Sequence, residues 1–296
     1  MTRQFADVGR GVNLAYEQLG DKNSPALVLV AGFGQQLHHW PDGLCRMLVK
    51  QGYQLIRFDN RDAGESTHFD FPPPGALQFL RKRWHPEQYD LGDMAADAVG
   101  LFDALGFGCA HVVGMSMGGM IAQTIAARYP NRVASLTSIM STTGAPRVGR
   151  PAWSTWPLIA VPPAKTREKF VAQSVRLDRQ VASHGYPFDE PAIRAAAETT
   201  WDRDPDAPAA SGRQLAAIFK SGDRTGEVRA ITAPTLVLHG DRDLMVDPSG
   251  GAITAQSIPG ARLHTIQGMG HDLPTALWPT LADLIHDHSQ NWRHTV

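Results

Sequence analysis

The chain has 296 residues, of which 43% are hydrophobic and 19% are charged, and its formal net charge at pH 7 is -1. These values describe an ordinary globular protein with enough residues to bury a large core, and they exclude a disordered chain. No run of five like charges occurs, so the sequence gives no reason to expect a nucleic-acid partner or an anionic membrane surface.

The N-terminal residues lack the apolar segment of a secretory signal, and no apolar stretch approaches the roughly 20 residues that cross a bilayer. Cys45 and Cys109 show no C-x-x-C spacing, which favours two buried free thiols. The His286-Asp287-His288 segment has no third ligand in view, so no metal site is predicted. We therefore expect a cytoplasmic protein without membrane contact and without a cofactor or metal.

The first part of the chain predicts strands that alternate with helices. Period-2 alternation and an apolar run predict strands, while Asp90 and Asp93 form a capping-box pattern at the start of a helix. Three prolines near residue 73 favour a surface loop. The predicted elements are a hairpin over 5–18, a strand over 26–31, a helix over 41–51, a strand over 53–58, a long loop over 67–88 and a helix over 90–105.

The alternation continues and then breaks after Ser141. Further strands are predicted at 110–114, 133–140, 234–240 and 262–266, with helices at 117–129 and 275–287. This spacing predicts an α/β fold whose mostly parallel sheet has helices on both faces. Residues 145–163 are rich in proline, and 164–225 have a helical pattern without a strand. We therefore predict a core formed by 1–141 and 229–296, with 142–228 inserted as a helical cap.

A G-x-S-x-G motif at 114–118 lies between a predicted strand and a predicted helix. In that context Ser116 is expected on a sharp, strained turn that exposes its hydroxyl. The helix that starts at Met117 then directs free backbone N–H groups at any anion that forms beside the serine. A glycine-rich turn with an N-capping serine explains the motif equally well, so the motif alone does not establish catalysis.

Two later loops supply the groups that a serine nucleophile needs. Asp243 follows the strand at 234–240, and His271 follows the strand at 262–266. A serine hydroxyl needs an imidazole to accept its proton, and the imidazole needs a carboxylate that fixes its tautomer. Because ligands bind at the carboxyl ends of the strands in open α/β sheets, these side chains are expected to meet Ser116 there. Asp241 is the competing carboxylate.

With these residues in place, the sequence resembles the α/β-hydrolase family over nearly its whole length. The order Ser116, Asp243, His271 is the order of that family. Five segments carry the resemblance in the right order: Ala31–Gly34, Phe58–Ser66, Gly114–Gly118, Gly240–Asp243 and Gly268–His271. More narrowly, Trp40-Pro41-Asp42, the Asp59–Ser66 segment and Gly268–His271 look like the aclacinomycin methylesterase branch, which hydrolyses a methyl ester on an anthracycline polyketide.

The resemblance also implies an oxyanion hole and suggests a substrate pocket. By position, the oxyanion donors would be the backbone N–H groups of Phe33 and Met117. Many relatives have histidine where Ala31 stands, which leaves these donors intact but leaves open what supports their turn. Pocket candidates are His38, Trp153 and Trp156, although a helix-approach role for His38 and simple burial of the tryptophans are alternatives. Asp59 and Arg61 are expected to form an ion pair that locks their loop.

The favoured function is a serine hydrolase that cleaves a small-molecule carboxylic ester through an acyl-enzyme. Cofactor-free perhydrolysis or carbon–carbon bond hydrolysis on a similar triad is the first alternative, and the motifs do not separate it. A ligand receptor on a hydrolase scaffold is the second. Dehalogenase and epoxide-hydrolase activities require an aspartate where Ser116 stands, and the sequence excludes them.

Overall fold

The computed structural model describes residues 3–204 and 207–290, without the side chains of residues 207–209. The described strands form one eight-stranded sheet in the order β1-β2-β4-β3-β5-β6-β7-β8. The first two pairings are antiparallel and all the others are parallel. The strands are β1 (Gln4–Asp7), β2 (Asn13–Leu19), β3 (Ala26–Val30), β4 (Gln54–Phe58), β5 (Ala110–Met115), β6 (Val133–Ile139), β7 (Thr235–Gly240) and β8 (Arg262–Ile266).

Helices occupy most of the connections between these strands. In the described part of the chain they are α1 (Asp42–Lys50), α2 (Ala76–Leu80), α3 (Leu91–Ala104), α4 (Met117–Arg128), α5 (Trp156–Ile159), α6 (Arg167–Val181), α7 (Glu190–Arg203), α8 (Ala207–Ser221), α9 (Thr225–Val228), α10 (Ser249–Ser257) and α11 (Trp278–Gln290). None of them is both long and apolar enough to cross a membrane. The predicted α/β architecture is confirmed, with element ends that differ from the predicted ones by a few residues.

Both faces of the sheet are covered, as the apolar run of β3 predicts. Val28 and Val30 pack on one face with residues of α3 and α4, whereas Leu27 and Leu29 pack on the other face with residues of α1 and α11. Successive side chains of a strand point to opposite faces. A strand that is buried on both faces therefore needs an unbroken apolar sequence, which is what β3 has.

Two local predictions were wrong. Cys45 is buried as expected, but Cys109 is exposed because it lies in the turn before β5 rather than within the strand. The long surface loop predicted over 67–88 contains the short helix α2, and Phe71 and Gln88 within it are buried. Just beyond it, the buried Tyr89 donates a 2.8 Å hydrogen bond to Asp62, so the loop is tied to the core at that end.

We expect Gly118→Ala to lower the free energy of unfolding by about 2 kcal/mol, because overpacking a tight contact typically costs this much. A Cβ on Gly118, in α4, would lie 2.1 Å from the carbonyl oxygen of Val30 and 2.6 Å from that of Ala31. Neither backbone group can move away without distorting β3 or the turn that follows it. The matched control is Gly226→Ala, whose Cβ would meet nothing within 4 Å. Urea denaturation measures the free energy of unfolding of both variants. Equal free energies for the two variants would contradict the close approach of α4 to β3.

Candidate active site

Ser116 lies on the sharp turn that joins β5 to α4. Its backbone has φ 54° and ψ -122°, and a positive φ is uncommon and strained for a residue with a side chain. The flanking glycines let the turn close, since a Cβ on Gly114 would lie 2.1 Å from the carbonyl oxygen of Gly118. The N–H of Ser116 donates a 2.9 Å hydrogen bond to the carbonyl of Ile139 in β6. This combination of strain and support is typical of a nucleophile elbow.

His271 lies between Ser116 and Asp243. The Ser116 Oγ is 3.0 Å from His271 Nε2, and His271 Nδ1 is 2.7 Å from Asp243 Oδ2. With the Nδ1 proton on the imidazole, Nδ1–H donates to the carboxylate and Nε2 can accept the serine proton. The three side chains that the sequence predicts as a triad are therefore linked by two contacts, from Ser116 to His271 and from His271 to Asp243.

The surroundings of Asp243 keep it ionised. Burial by itself would raise the pKa of this carboxyl, but the charge of His271 and hydrogen bonds from His239, His271 and the Val246 N–H hold it well below its ordinary value. Oδ1 accepts 2.8 Å hydrogen bonds from the N–H groups of Met245 and Val246. This leaves Oδ2 to face the imidazole as a fixed negative charge.

The competing carboxylate, Asp241, has a different position. It is exposed, and its Oδ1 accepts a 2.6 Å hydrogen bond from the N–H of Gly268. Asp241 therefore holds the loop that carries His271 but does not contact the imidazole. This geometry favours Asp243 over Asp241 as the partner of His271.

The turn after β3 lies against the serine. A Cβ on Gly32 would be 3.3 Å from Ser116 Cβ, so the peptide groups of this turn are next to the hydroxyl. Within the described residues, no hydrogen bond is found for the N–H of Phe33 or for that of Met117, and α4 has no side-chain cap. Two free N–H groups beside a nucleophile have the arrangement of an oxyanion hole.

The end of α6 and the segment after it hold the histidine loop in place. The N–H of His271 donates a 2.7 Å hydrogen bond to the carbonyl of Val181, and the N–H of Gly270 donates a 2.8 Å hydrogen bond to Ser183 Oγ. Ser183 in turn donates from its N–H to Asp272 at 2.9 Å. Burial and the charge of Asp272 raise the pKa of nearby Asp178 to about 6. Residues of the helical segment thus fix the backbone on which His271 stands.

The three residues predicted for a substrate pocket occupy different environments. His38 Nε2 lies 3.2 Å from both the Ala196 carbonyl and Thr200 Oγ1 in α7, and burial lowers its pKa to about 4, so it is neutral at pH 7. Trp153 is 91% exposed and Trp156 is 44% exposed. A pocket role for these three side chains stays a prediction.

The ion pair predicted between Asp59 and Arg61 is wrong, because each residue has another partner. Arg61 forms two hydrogen bonds to Asp97, at 2.5 and 2.6 Å. Asp59 is buried and pairs with Arg203 of α7 at 2.7 Å, while its other oxygen accepts a 2.6 Å hydrogen bond from the N–H of Leu37. The loop is therefore tied to α3 and α7, which no local sequence pattern indicates.

We expect Arg203→Met to lower the free energy of unfolding by about 3 kcal/mol, since removing one partner of a buried ion pair leaves the other charge uncompensated. Asp59 would keep only its backbone donors, Leu37 and Glu65. Arg167→Met is the control, because that arginine pairs with Asp202 at the surface, and it should change stability far less. Urea denaturation measures both, and losses of equal size would contradict the role assigned to Arg203.

Several residues that contact the site had no signal in the sequence analysis. Gln214 of α8 accepts a hydrogen bond from Gly34, and Ser183 joins the histidine loop. Both lie in the helical segment, where no motif marks them. The Nε2 of His239 lies 3.4 Å from Asp243 Oδ2. A histidine at the end of an otherwise apolar strand is the sequence signal that could have indicated this contact.

Comparison with known proteins places this geometry in context. The family model described as alpha/beta hydrolase fold matches residues 25–274. The chain is 31% identical over 312 residues to the rhodomycin D methylesterase DauP of Streptomyces sp. (strain C5), covering 94% of this chain and 95% of that protein. The identity and both coverages are the same for the rhodomycin D methylesterase DnrP of Streptomyces peucetius.

A solved structure with the same fold is the enol-lactonase of Burkholderia xenovorans. It superimposes with a TM-score of 0.74 at 23% sequence identity, over 97% of this chain and 100% of that one. At this identity the similarity establishes the fold and leaves the reaction open.

Proposed function

This chain belongs to the α/β-hydrolase fold family, and we propose that it is a serine hydrolase of carboxylic esters. Ser116 attacks the ester carbonyl while His271 accepts its proton, and His271 then returns the proton to the departing alcohol. Water, activated by the same imidazole, releases the acid from the acyl-enzyme. The charge of Asp243 stabilises the imidazolium, and the N–H groups of Phe33 and Met117 bind the oxyanion.

One observation carries the proposal: the 3.0 Å separation of Ser116 Oγ and His271 Nε2, together with the 2.7 Å hydrogen bond from His271 to Asp243. A serine hydroxyl next to an oriented imidazole can pass its proton to the ring nitrogen as it attacks a carbonyl. Hydrolysis then needs no group beyond these side chains, the two amide donors and a water.

We further propose that the substrate is the methyl ester of a small, apolar, polyketide-like molecule. The support is the match to two rhodomycin D methylesterases over 94% of this chain. Residues 142–228 would form the cap over such a substrate, with His38, Trp153 and Trp156 as pocket candidates. The cytoplasmic location expected from the sequence stays a prediction.

A substrate panel tests the proposal. The panel contains short- and long-chain p-nitrophenyl esters, a methyl-ester polyketide, a peracid-forming assay and a ring-cleavage product with a scissile carbon–carbon bond. We expect hydrolysis of the esters, with the highest kcat/KM for the methyl-ester polyketide. Preferred turnover of the carbon–carbon substrate, or peracid formation faster than hydrolysis, would replace the proposal with the alternative reaction.

A further inference from the structure

The turn that follows β3 contains three successive N–H groups, and two of them are already bonded to side-chain oxygens. The Gly32 N–H donates to Gln35 Oε1 at 2.9 Å, and the Gly34 N–H donates to Gln214 Oε1 at 2.9 Å. The N–H of Phe33, between them, has no partner among the described residues. The peptide group that carries the free N–H therefore lies between two peptide groups whose orientations are fixed.

Gln214 is well suited to hold its side of this turn. Its side chain is completely buried, and its Nε2 donates a 2.8 Å hydrogen bond to the carbonyl of Arg61. The orientation of the amide is unambiguous, because the backbone donor at Gly34 must face the oxygen and the backbone acceptor at Arg61 must face the nitrogen. The side chain thus bridges the turn after β3 and the loop after β4.

The peptide group that carries the Phe33 N–H is held from one side, because the Gly32 carbonyl accepts a 3.2 Å hydrogen bond from the N–H of Gln35. On the Gly34 side, the support is the contact with Gln214. Gly34 has φ 65°, a conformation that glycine adopts freely and also leaves freely. Ala31, which precedes the turn, has no polar side chain that could hold it. Without the amide of Gln214, the Phe33–Gly34 peptide group can rotate, and the neighbouring Gly32–Phe33 peptide group, which carries the Phe33 N–H, is then held from one side only.

We propose that Gln214 is a positioning residue for the oxyanion hole, acting through the Gly34 N–H to aim the Phe33 N–H at the oxyanion. This inference rests on the proposed ester hydrolysis. Because Gln214 belongs to α8, the oxyanion hole is complete only when that helix is docked on the core. Loss of a whole oxyanion donor typically costs about 100- to 1000-fold in kcat, so loss of its orientation should cost about tenfold or more.

The test compares Gln214→Met with Gln88→Met. Gln88 is also a buried glutamine that ties α8 to the core, donating a 3.0 Å hydrogen bond to the carbonyl of Arg213, but it does not contact the turn. For each variant we would measure kcat and KM on a p-nitrophenyl ester. We would also measure the KI of an alkyl trifluoromethyl ketone, which forms a tetrahedral oxyanion with a serine nucleophile.

For Gln214→Met we expect kcat to fall about tenfold or more, KM to change less than about twofold, and KI for the ketone to rise by the same factor as kcat falls. For Gln88→Met, kcat and KI should stay within about twofold of the wild-type values. If Gln214→Met does not fold, Gln214→Asn, whose shorter amide cannot span both partners, undergoes the same measurements. The measured kcat falls with the folded fraction of a preparation, whereas KI and KM do not depend on it. The ratio of KI to KM therefore reports on the folded enzyme alone.

Two results would overturn the inference: wild-type kcat and KI in the folded Gln214 variant, or equal losses in the Gln214 and Gln88 variants. Equal losses would mean that docking of α8, and not the contact with Gly34, is what the site needs. Failure of the proposed function appears differently, as a wild-type protein that neither hydrolyses the esters nor binds the ketone.

Discussion

Alanine in place of Ser116 is expected to lower kcat/KM for ester hydrolysis by about a millionfold, the scale on which removal of a serine nucleophile acts. The variant keeps the oxyanion donors and the His271–Asp243 pair, but it has no oxygen that can form the acyl-enzyme. What remains is water attack in a site that still binds and polarises the ester. The fold should persist, because alanine occupies less space on a turn that already accommodates serine.

The measurement is initial-rate hydrolysis of a p-nitrophenyl ester by the purified variant, corrected for the spontaneous rate. Ser257→Ala, at the end of α10, is the matched control, and its kcat/KM should equal that of the wild type. Circular dichroism of both variants establishes that each is folded. Turnover above one hundredth of the wild-type rate in Ser116→Ala would exclude a covalent mechanism through this residue.

Asparagine in place of Asp243 is expected to lower kcat by about ten thousandfold with little change in KM. An amide in this position can donate to His271 Nδ1, which would place the ring proton on Nε2, where it blocks acceptance of the serine proton. It also removes the negative charge that stabilises the imidazolium. The buried position and the two N–H donors to Oδ1 should keep the new side chain in place.

Asp241→Asn is the control for this prediction, since it makes the same chemical change two residues away. Its side-chain oxygen can still accept from Gly268, so kcat should remain within a few-fold of wild type. A loss in Asp241→Asn that equals or exceeds the loss in Asp243→Asn would reverse the assignment of the carboxylate.

The depressed pKa of Asp243 also predicts how its stabilising contribution depends on pH. A carboxyl whose folded pKa lies below the unfolded value of about 3.9 stabilises the fold at neutral pH. That contribution disappears as the pH falls through the folded pKa. The difference in unfolding free energy between the wild type and Asp243→Asn should therefore be constant above about pH 5 and shrink below about pH 4 in acid urea titrations.

The sheet could be predicted because its sequence signals are local. The unbroken apolar run at 26–30 predicts a strand that is buried on both faces of the sheet. The alternation of strands and helices predicts that the sheet is mostly parallel. The family resemblance drawn from five ordered motifs is confirmed by the match to the alpha/beta hydrolase fold over residues 25–274. Asp243 and His271 follow the carboxyl ends of two parallel strands, in the chain order of the family. These two facts were enough to predict that their side chains approach Ser116.

The partners supplied by the helical segment could not be predicted in this way. Arg203 and Gln214 lie in helices whose residues pack on loops more than 130 positions away in the sequence. Arginine and glutamine occur throughout the sequence, and no pattern marks which of them contact the loops around the site. Only the docking of α7 and α8 on the core brings Arg203 and Gln214 into these contacts. The wrong prediction of an ion pair between Asp59 and Arg61 has the same origin. The two residues are close in the sequence, but each pairs with a residue more distant along the chain, Arg203 for Asp59 and Asp97 for Arg61.

The most direct test of Ser116 as a nucleophile is covalent labelling with an alkyl fluorophosphonate, followed by intact mass measurement and peptide mapping. We expect one adduct per chain, located on Ser116, which is absent in Ser116→Ala and forms far more slowly in His271→Ala. A chain that remains unmodified while a reference serine esterase is fully labelled, or an adduct on a different residue, would contradict the claim that Ser116 is an activated nucleophile.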